Sequence, residues 1–198
     1  MSKIICVTDR KLCGEDILQR VEKLAAARPH AIILREKDLS EEDYGRLAEA
    51  ALALCRRQGV TCILHRFAAV GEALGCTALH LPLPELAGLS AERRAAFTTL
   101  GASCHSLAEA REAAALGCTY ITAGHVFDTD CKRGLPGRGL DFLRQVCQGV
   151  SLPVYAIGGV TPERMPEILA AGAAGACSMS GAMTCPDPAA YLHRFQEL

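Results

Sequence analysis

The chain has 198 residues, a formal net charge of −1 and a hydrophobic fraction of 50%. This length allows one domain to bury a sizeable core without disulfides or structural metals. The near-neutral charge gives no reason to expect nucleic acid or an anionic membrane as a partner. The sequence has no run of about 18 apolar residues and no signal-peptide pattern, so it predicts a cytoplasmic protein with no membrane span.

Eleven cysteines are present, an odd number, and no Cys-x-x-Cys pair occurs. Without an export signal, this pattern favours free thiols that act as small apolar side chains in a reducing compartment. Most lie in apolar segments, as do Cys6, Cys62, Cys76, Cys118 and Cys177. Cys131 differs because it lies in a charged loop beside Lys132.

Short apolar runs alternate with amphipathic patterns along the whole chain. The predicted strands are residues 4–7, 31–34, 61–64, 78–81, 99–103, 120–122, 153–157 and 175–178. Predicted helices cover residues 15–28, 40–57, 68–74, 106–116 and 140–147, with further helix starts at Thr161-Pro162-Glu163 and Asp187-Pro188. Ser40, Ser106 and Thr161 are the expected capping residues of their helices. Eight such repeats predict a single (β/α)₈ TIM barrel over residues 1–198. An open doubly wound sheet is the alternative, which the count of eight disfavours.

In a barrel of this class the active site lies at the carboxyl ends of the strands. Polar residues collect there along the sequence, at 8–10, 35–38, 65–66, 82–85, 103–105, 158–159 and 178–181. This clustering predicts a site at that end of the barrel, which we call the mouth.

The longest connection runs from Gly124 to Gly139, and loops of more than about 12–15 residues in compact domains are usually functional. Its His125 is the best proton carrier, because imidazole both takes and gives a proton near neutral pH. Lys132 and Arg138 in the same loop would disfavour the charged imidazole and hold an anion. A surface histidine without function is the alternative.

The other histidines carry weaker signals. His105 follows strand five and is a second acid–base candidate, although a helix cap explains it equally well. His65 and His80 are ambiguous, and His30 and His193 have the character of structural or exposed residues.

Anion-binding groups are predicted at three strand ends. Gly158-Gly159 after strand seven and Met179-Ser180 after strand eight suit a phosphate, because backbone N–H groups can approach it closely there. Two ordinary turns are the alternative. Arg35 directly follows strand two and suits a carboxylate or a phosphate. A solvated loop with internal ion pairs is the alternative for Arg35 to Asp38.

The sequence predicts no metal site. It has no His-x-x-x-His pair and no cluster of carboxylates at neighbouring strand ends. The acidic residues available there are Asp9, Asp38 and Glu85, with Glu85 expected in a proline-rich loop.

Several motifs together resemble the thiamine phosphate synthase superfamily over essentially the whole chain. They are Val7-Thr8-Asp9-Arg10, Leu34-Arg35-Glu36-Lys37-Asp38, Ser103-Cys104-His105-Ser106, Ala156-Ile157-Gly158-Gly159 and Met179-Ser180-Gly181.

The resemblance implies two branches on one barrel. In the synthase branch, an Asn-Asp-Arg motif after strand three and an Asp after strand four hold the pyrimidine substrate and Mg²⁺. Here Leu64-His65-Arg66 and Glu85 occupy those positions, and Ile33 replaces a glutamine. The Thr-x-Thr-Lys of that branch reads Thr129-Asp130-Cys131-Lys132, so its second threonine is lost.

The loop from Gly124 to Gly139 is instead similar to that of the thiazole tautomerase (TenI) branch at every specified position. This resemblance implies an isomerase of thiamine biosynthesis. Such an enzyme converts a non-aromatic carboxythiazole phosphate to its aromatic tautomer by acid–base proton transfer, without a cofactor.

The resemblance and the residue patterns together assign expected roles. His125 carries the proton, and whether His105 or Glu36 assists it stays open. The carboxylate and ring are expected to contact Arg35, Lys37, Ser103, Thr129 and Lys132, and the phosphate is expected to contact Gly158, Gly159, Met179 and Ser180. A divergent synthase and a non-catalytic protein that binds thiazole phosphate or thiamine phosphate are the alternatives. Dimers are common in the superfamily, but no apolar patch in the sequence demands one.

Overall fold

Eight parallel strands close into a barrel in chain order, with the last strand paired to the first. The computed structural model describes residues 3–132 and 134–196, so Arg133 of the long loop and the chain ends lie outside the described residues. The strands are β1 (Lys3–Val7), β2 (Ala31–Leu34), β3 (Thr61–His65), β4 (Ala78–Pro82), β5 (Thr99–Cys104), β6 (Tyr120–Gly124), β7 (Val154–Ile157) and β8 (Gly175–Ser178). The predicted TIM barrel is confirmed.

Helices surround the barrel. They are α1 (Ile17–Ala26), α2 (Glu41–Gln58), α3 (Ala68–Ala73), α4 (Leu83–Gly88), α5 (Ala91–Ala95), α6 (Leu107–Ala115), α7 (Gly139–Gly149), α8 (Met165–Ala170), α9 (Ser180–Thr184) and α10 (Pro188–Gln196). Three-residue 3₁₀ turns lie at Arg10–Leu12, Asp130–Lys132 and Pro162–Arg164.

Capping residues set several helix ends. Asp16 accepts hydrogen bonds from two backbone N–H groups of the first turn, so α1 begins at Ile17 and not at residue 15. Ser40 caps α2 as predicted, accepting from the Asp43 N–H at 3.1 Å. Gly59 ends α2 with a φ of 69°, a left-handed conformation that glycine adopts readily.

Three kinds of local detail differ from what the sequence predicts. The short helices α4, α5 and α9 were not predicted, because five or six residues carry too little periodicity. Glu85 therefore lies on α4 and not in a loop. Thr161 makes no side-chain capping bond, and a 3₁₀ turn precedes α8.

Side chains of each strand alternate between two apolar layers. One layer fills the barrel interior and includes Ile5, Val7, Ile33, Ile63, Tyr120, Tyr155 and Cys177. The other lies between the strands and the helices and includes Ile4, Cys6, Ile32, Leu34 and Leu64. Because the period is two, the same alternation decides which residues at the carboxyl ends face the mouth.

The cysteines and helices agree with the composition. All eleven cysteines are free thiols, and those predicted to be apolar are buried or half-buried. None of the helices in the described part of the chain is long and apolar enough to cross a membrane.

Candidate functional site

A cavity of about 430 Å³ opens at the mouth, a volume typical of a small-molecule site. The predicted proton carrier and the nine predicted substrate contacts all line it: Arg35, Lys37, Ser103, His125, Thr129, Lys132, Gly158, Gly159, Met179 and Ser180. The structure thus brings all of these residues together, while their individual roles stay predictions.

A wider, open groove of about 1240 Å³ adjoins the cavity on the side of α9 and α10. The two share loop residues such as Thr129 and Lys132, and both reach Ser180. The cavity therefore has an open approach from this side.

The charged residues 35–38, which follow β2, lie in two different environments. Glu36 is buried and accepts hydrogen bonds from the Thr8 hydroxyl at 2.7 Å and from the Arg10 backbone N–H at 3.1 Å. The Arg10 guanidinium also pairs with Glu36 at 3.2 Å. Arg10 and Lys11 hold the pKa of Asp38 well below its usual range. Glu36 is thus occupied in joining β1 to β2 and is not among the residues that line the cavity.

Arg35 and Lys37, on the alternate positions, line the cavity. The Arg35 guanidinium lies 3.6 Å from Asp9 Oδ2. Partial burial lowers the pKa of Lys37, and the neighbouring charges of Arg35 and Lys132 lower it further. Positive charges therefore repel one another at the mouth, which an anionic ligand would relieve.

Backbone hydrogen bonds tie the long loop to β7. The Val126 N–H donates to the Ile157 carbonyl at 2.9 Å, and the Phe127 N–H donates to the Gly158 carbonyl at 3.1 Å. The loop thus continues the β6–β7 pairing for two residues beyond the strands, which fixes His125 over the mouth.

Two glycines make this close approach possible. Gly158 has a φ of 95°, and a Cβ there would lie 2.3 Å from His125 Cβ. Gly159 has a φ of 65°, and its Cβ would lie 2.6 Å from the Asp128 carbonyl oxygen. The sequence predicted these glycines only as phosphate contacts, because a clash between distant loops leaves no local pattern.

His125 is half-buried, and its Nε2 lies 3.2 Å from the Leu135 carbonyl oxygen. A carbonyl can only accept a hydrogen bond, so Nε2 carries a hydrogen and the lone pair of a neutral ring is on Nδ1.

The expectation that Arg138 holds an anion at this site was wrong. Its guanidinium lies 5.6 Å from the centre of the Phe142 ring, and Arg138 is not among the residues that line the cavity.

His105 also reaches the peptide that carries His125. Its Nδ1 lies 2.8 Å from the carbonyl oxygen of Gly124, which makes Nδ1 the donor. Capping of α6, the alternative role for His105, is provided by the Ser106 side chain, which accepts from the Glu109 N–H at 3.1 Å.

Two further histidines, which the sequence left ambiguous, lie inside the barrel. Burial lowers the pKa of His65 to about 2 and the pKa of His80 to about 3. For His65 the positive charges around it contribute further. Both rings are therefore neutral near pH 7, and they stack with their centres 6.0 Å apart. Both residues lie at inward-facing positions of their strands. This alternation along the strand is the sequence signal that could have placed them inside the barrel.

The residues at the implied magnesium positions do not fit that ion. Leu64 is buried beneath the helices, and His65 is a neutral imidazole. Glu85 forms an ion pair with Arg66 at 3.1 Å. Mg²⁺ prefers oxygen ligands, mainly carboxylates. Over residues 3–132 and 134–196, no group of three or more His, Cys, Asp or Glu side chains is arranged to hold a metal.

The fold and the site define a TIM barrel with a cavity of small-molecule size at its mouth, and positively charged side chains line this cavity. Residues 4–182 match the family described as thiamine monophosphate synthase, TMP-TENI, and the chain belongs to this family.

Relatives cover most of the chain. A thiamine-phosphate synthase of Caldivirga maquilingensis is 34% identical over 81% of this chain and 78% of its own. One of Roseiflexus castenholzii is 32% identical over 94% of this chain and 83% of its own. The solved thiamine phosphate pyrophosphorylase of Pyrococcus furiosus superposes with a TM-score of 0.85 and 27% identity, over 98% of this chain and 94% of that one.

Proposed function

We propose that this protein is a thiazole tautomerase, which isomerises a non-aromatic carboxythiazole phosphate to its aromatic tautomer. The observation that carries the proposal is His125: an imidazole at the mouth whose Nε2 is occupied by Leu135 and whose lone pair is on Nδ1. It lines a cavity whose mouth is cationic.

The reaction moves one proton and breaks no bond between heavy atoms. In our mechanism, Nδ1 of His125 takes the proton from C2 of the ring, and the electron pair shifts through the ring to the exocyclic alkene carbon. That carbon then receives a proton from the imidazolium, so the net change is an isomerisation. Aromaticity of the product drives the reaction, and acid–base help of this kind is worth about 10²–10⁴-fold in rate.

Anion binding would orient the substrate. Backbone N–H groups near Gly159 and Ser180, with the Ser180 hydroxyl, suit the phosphate. Arg35, Lys37 and Lys132 suit the carboxylate on C2, where their charge would stabilise the negative charge that develops on deprotonation. The hydroxyls of Ser103 and Thr129 complete the lining on the ring side.

A divergent thiamine-phosphate synthase is the second candidate, which the names of the relatives favour. Leu64, His65 and the Glu85–Arg66 pair oppose it, because the substrate diphosphate would lack its metal ligands.

One assay separates the two functions. The purified protein is incubated with the non-aromatic carboxythiazole phosphate, and aromatic absorbance is followed with and without EDTA. We expect turnover that chelator leaves unchanged. Conversion no faster than buffer would refute the tautomerase proposal. In a parallel reaction, Mg²⁺-dependent coupling of the pyrimidine diphosphate with thiazole phosphate would establish the synthase instead.

A further inference from the structure

Three side chains form a hydrogen-bonded chain that ends in the cavity. The Tyr120 hydroxyl lies 2.9 Å from His80 Nδ1, and His80 Nε2 lies 2.9 Å from Ser103 Oγ. Tyr120 and His80 are buried and Ser103 is half-buried, and of the three His80 and Ser103 line the cavity. No part of the proposed mechanism explains the two buried members.

The direction of this chain follows from its buried end. A neutral imidazole has one N–H and one lone pair. If Nδ1 donated to Tyr120, the phenol hydrogen would need another acceptor, and Tyr120 has no second hydrogen-bond partner in the described part of the chain. A buried donor without an acceptor is costly. The phenol therefore donates to Nδ1, and Nε2–H donates to Ser103 Oγ.

The barrel makes room for this arrangement at Gly101 on β5. A Cβ at Gly101 would lie 2.2 Å from Cζ of Tyr120 and 2.5 Å from its hydroxyl oxygen. Only a residue without a side chain allows the phenol to reach His80. Burial also lowers the pKa of His80, which keeps the ring neutral.

We propose that Tyr120 and His80 fix Ser103 as a hydrogen-bond donor to the ligand's carboxylate, which makes His80 a positioning residue for selectivity. Because Oγ already accepts from His80, its own hydrogen is left to point at the ligand, and a carboxylate is an acceptor. Ser103 follows the inward parity of β5, which lies two and three strands around the barrel from β7 and β8, where phosphate is expected. The identity of the ligand rests on the proposed function; the direction of the chain does not.

Calorimetry with two ligands tests the selectivity: the aromatic carboxythiazole phosphate and the same thiazole phosphate without the carboxylate. Ser103→Ala should raise the Kd of the carboxylated ligand roughly ten-fold or more, as expected for a lost hydrogen bond to a charged group. The Kd of the second ligand should stay within about two-fold, since no such bond is lost there.

The His80 variants test the positioning role. His80→Leu should weaken binding of the carboxylated ligand like Ser103→Ala, and it should add nothing in the Ser103→Ala background. His80→Gln should retain most of the affinity, because its amide N–H replaces Nε2–H. Tyr155→Phe is the matched control, since the Tyr155 ring packs against Tyr120 and its hydroxyl is not part of the hydrogen-bonded chain.

Equal weakening of both ligands by Ser103→Ala, or additive losses in the double variant, would overturn the proposal. If the wild-type protein binds neither ligand, it is the proposed function that fails. The direction is then tested without ligand, by ¹⁵N NMR of histidine-labelled wild-type protein. We expect the Nε2–H tautomer for His80, and the Nδ1–H tautomer would refute the proposed direction of the hydrogen bonds.

Discussion

The two sides of the mouth are built by different means. After β1 and β2, buried and exposed carboxylates hold the loops together through side chains, as in Glu36 with Thr8 and Arg10. After β6 and β7, backbone hydrogen bonds hold the loops together, as at Val126, and glycines allow the loops to approach closely, as at Gly158. On the β1–β2 side the carboxylates of Glu36 and Asp38 are paired with Arg10. Arg35 and Lys37 are left to face the cavity.

Substitutions on the two sides should therefore act differently. On the β1–β2 side a substitution removes bonds from a network that still retains others. On the β6–β7 side the backbone itself carries the proposed catalytic group, so a single methyl group can move it. We expect the largest effects on the β6–β7 side and smaller ones on the β1–β2 side.

The largest effect is expected at His125, the group that the β6–β7 side carries. His125→Asn should lower kcat for tautomerisation by about 10²–10⁴-fold, because the proton carrier is lost. Affinity for a thiazole phosphate should change little, since the phosphate contacts are elsewhere. Steady-state kinetics and calorimetry on the same preparation measure both. Undiminished turnover would remove His125 from the mechanism.

Gly158→Ala should be nearly as damaging to activity. The new Cβ would overlap His125 Cβ at a φ of 95°, so the loop must move. Gly117→Ala is the matched control, because its φ is 90° and no atom lies within 4 Å of the new Cβ. Backbone strain should cost both variants about 1–2 kcal/mol of unfolding free energy, and the overlap at Gly158 should add to the loss in that variant.

Turnover should fall only in the Gly158 variant. Denaturant unfolding and the absorbance assay provide the two readouts. Equal activity of the two variants would show that the close approach of β7 does not position His125.

Glu36→Ala tests the β1–β2 side. Thr8 and Arg10 would lose their buried acceptor, which should cost about 1–3 kcal/mol of unfolding free energy. Asp38→Asn, which affects an exposed and solvent-screened pair, should cost clearly less. If chemical denaturation gives both variants the same loss, the buried carboxylate is not what joins the two loops.

The effect that is smallest at neutral pH concerns acid stability. The folded pKa of His65 is about 2 and its ordinary value is 6.5, so the unfolded chain takes up the proton first as pH falls. The stability that His65 contributes is therefore complete above about pH 6.5 and is lost progressively as pH falls toward its folded pKa. His65→Gln should flatten the pH dependence of unfolding free energy between pH 6 and 4 by up to about 1.4 kcal/mol per pH unit.

Urea titrations of both proteins at several pH values measure that slope. His30→Gln is a useful comparison, because His30 is less buried and its pKa is lowered less. Parallel curves for wild type and His65→Gln would mean that the ring is protonated in the folded state.

Much of the molecule follows from its sequence. Eight apolar runs with helical patterns between them predicted a closed parallel barrel, because strands buried on both faces read as apolar runs. Because active sites of this fold lie at the carboxyl ends of the strands, Arg35, Ser103, His125 and Gly158 were predicted to lie at one end of the barrel. In the structure they line one cavity. Their roles stay predictions for experiment.

Only the tertiary structure decided which polar groups are occupied. Glu36 and Lys37 are neighbours in one charged run, yet one is bonded to Thr8 and the other faces the cavity. His80 acquires its partners from β5 and β6, and Gly158 meets His125 across two loops. The sequence determines strand parity and local caps because these depend on near neighbours. Hydrogen-bond partners and close approaches depend on residues far apart in the chain, which meet only when the barrel closes.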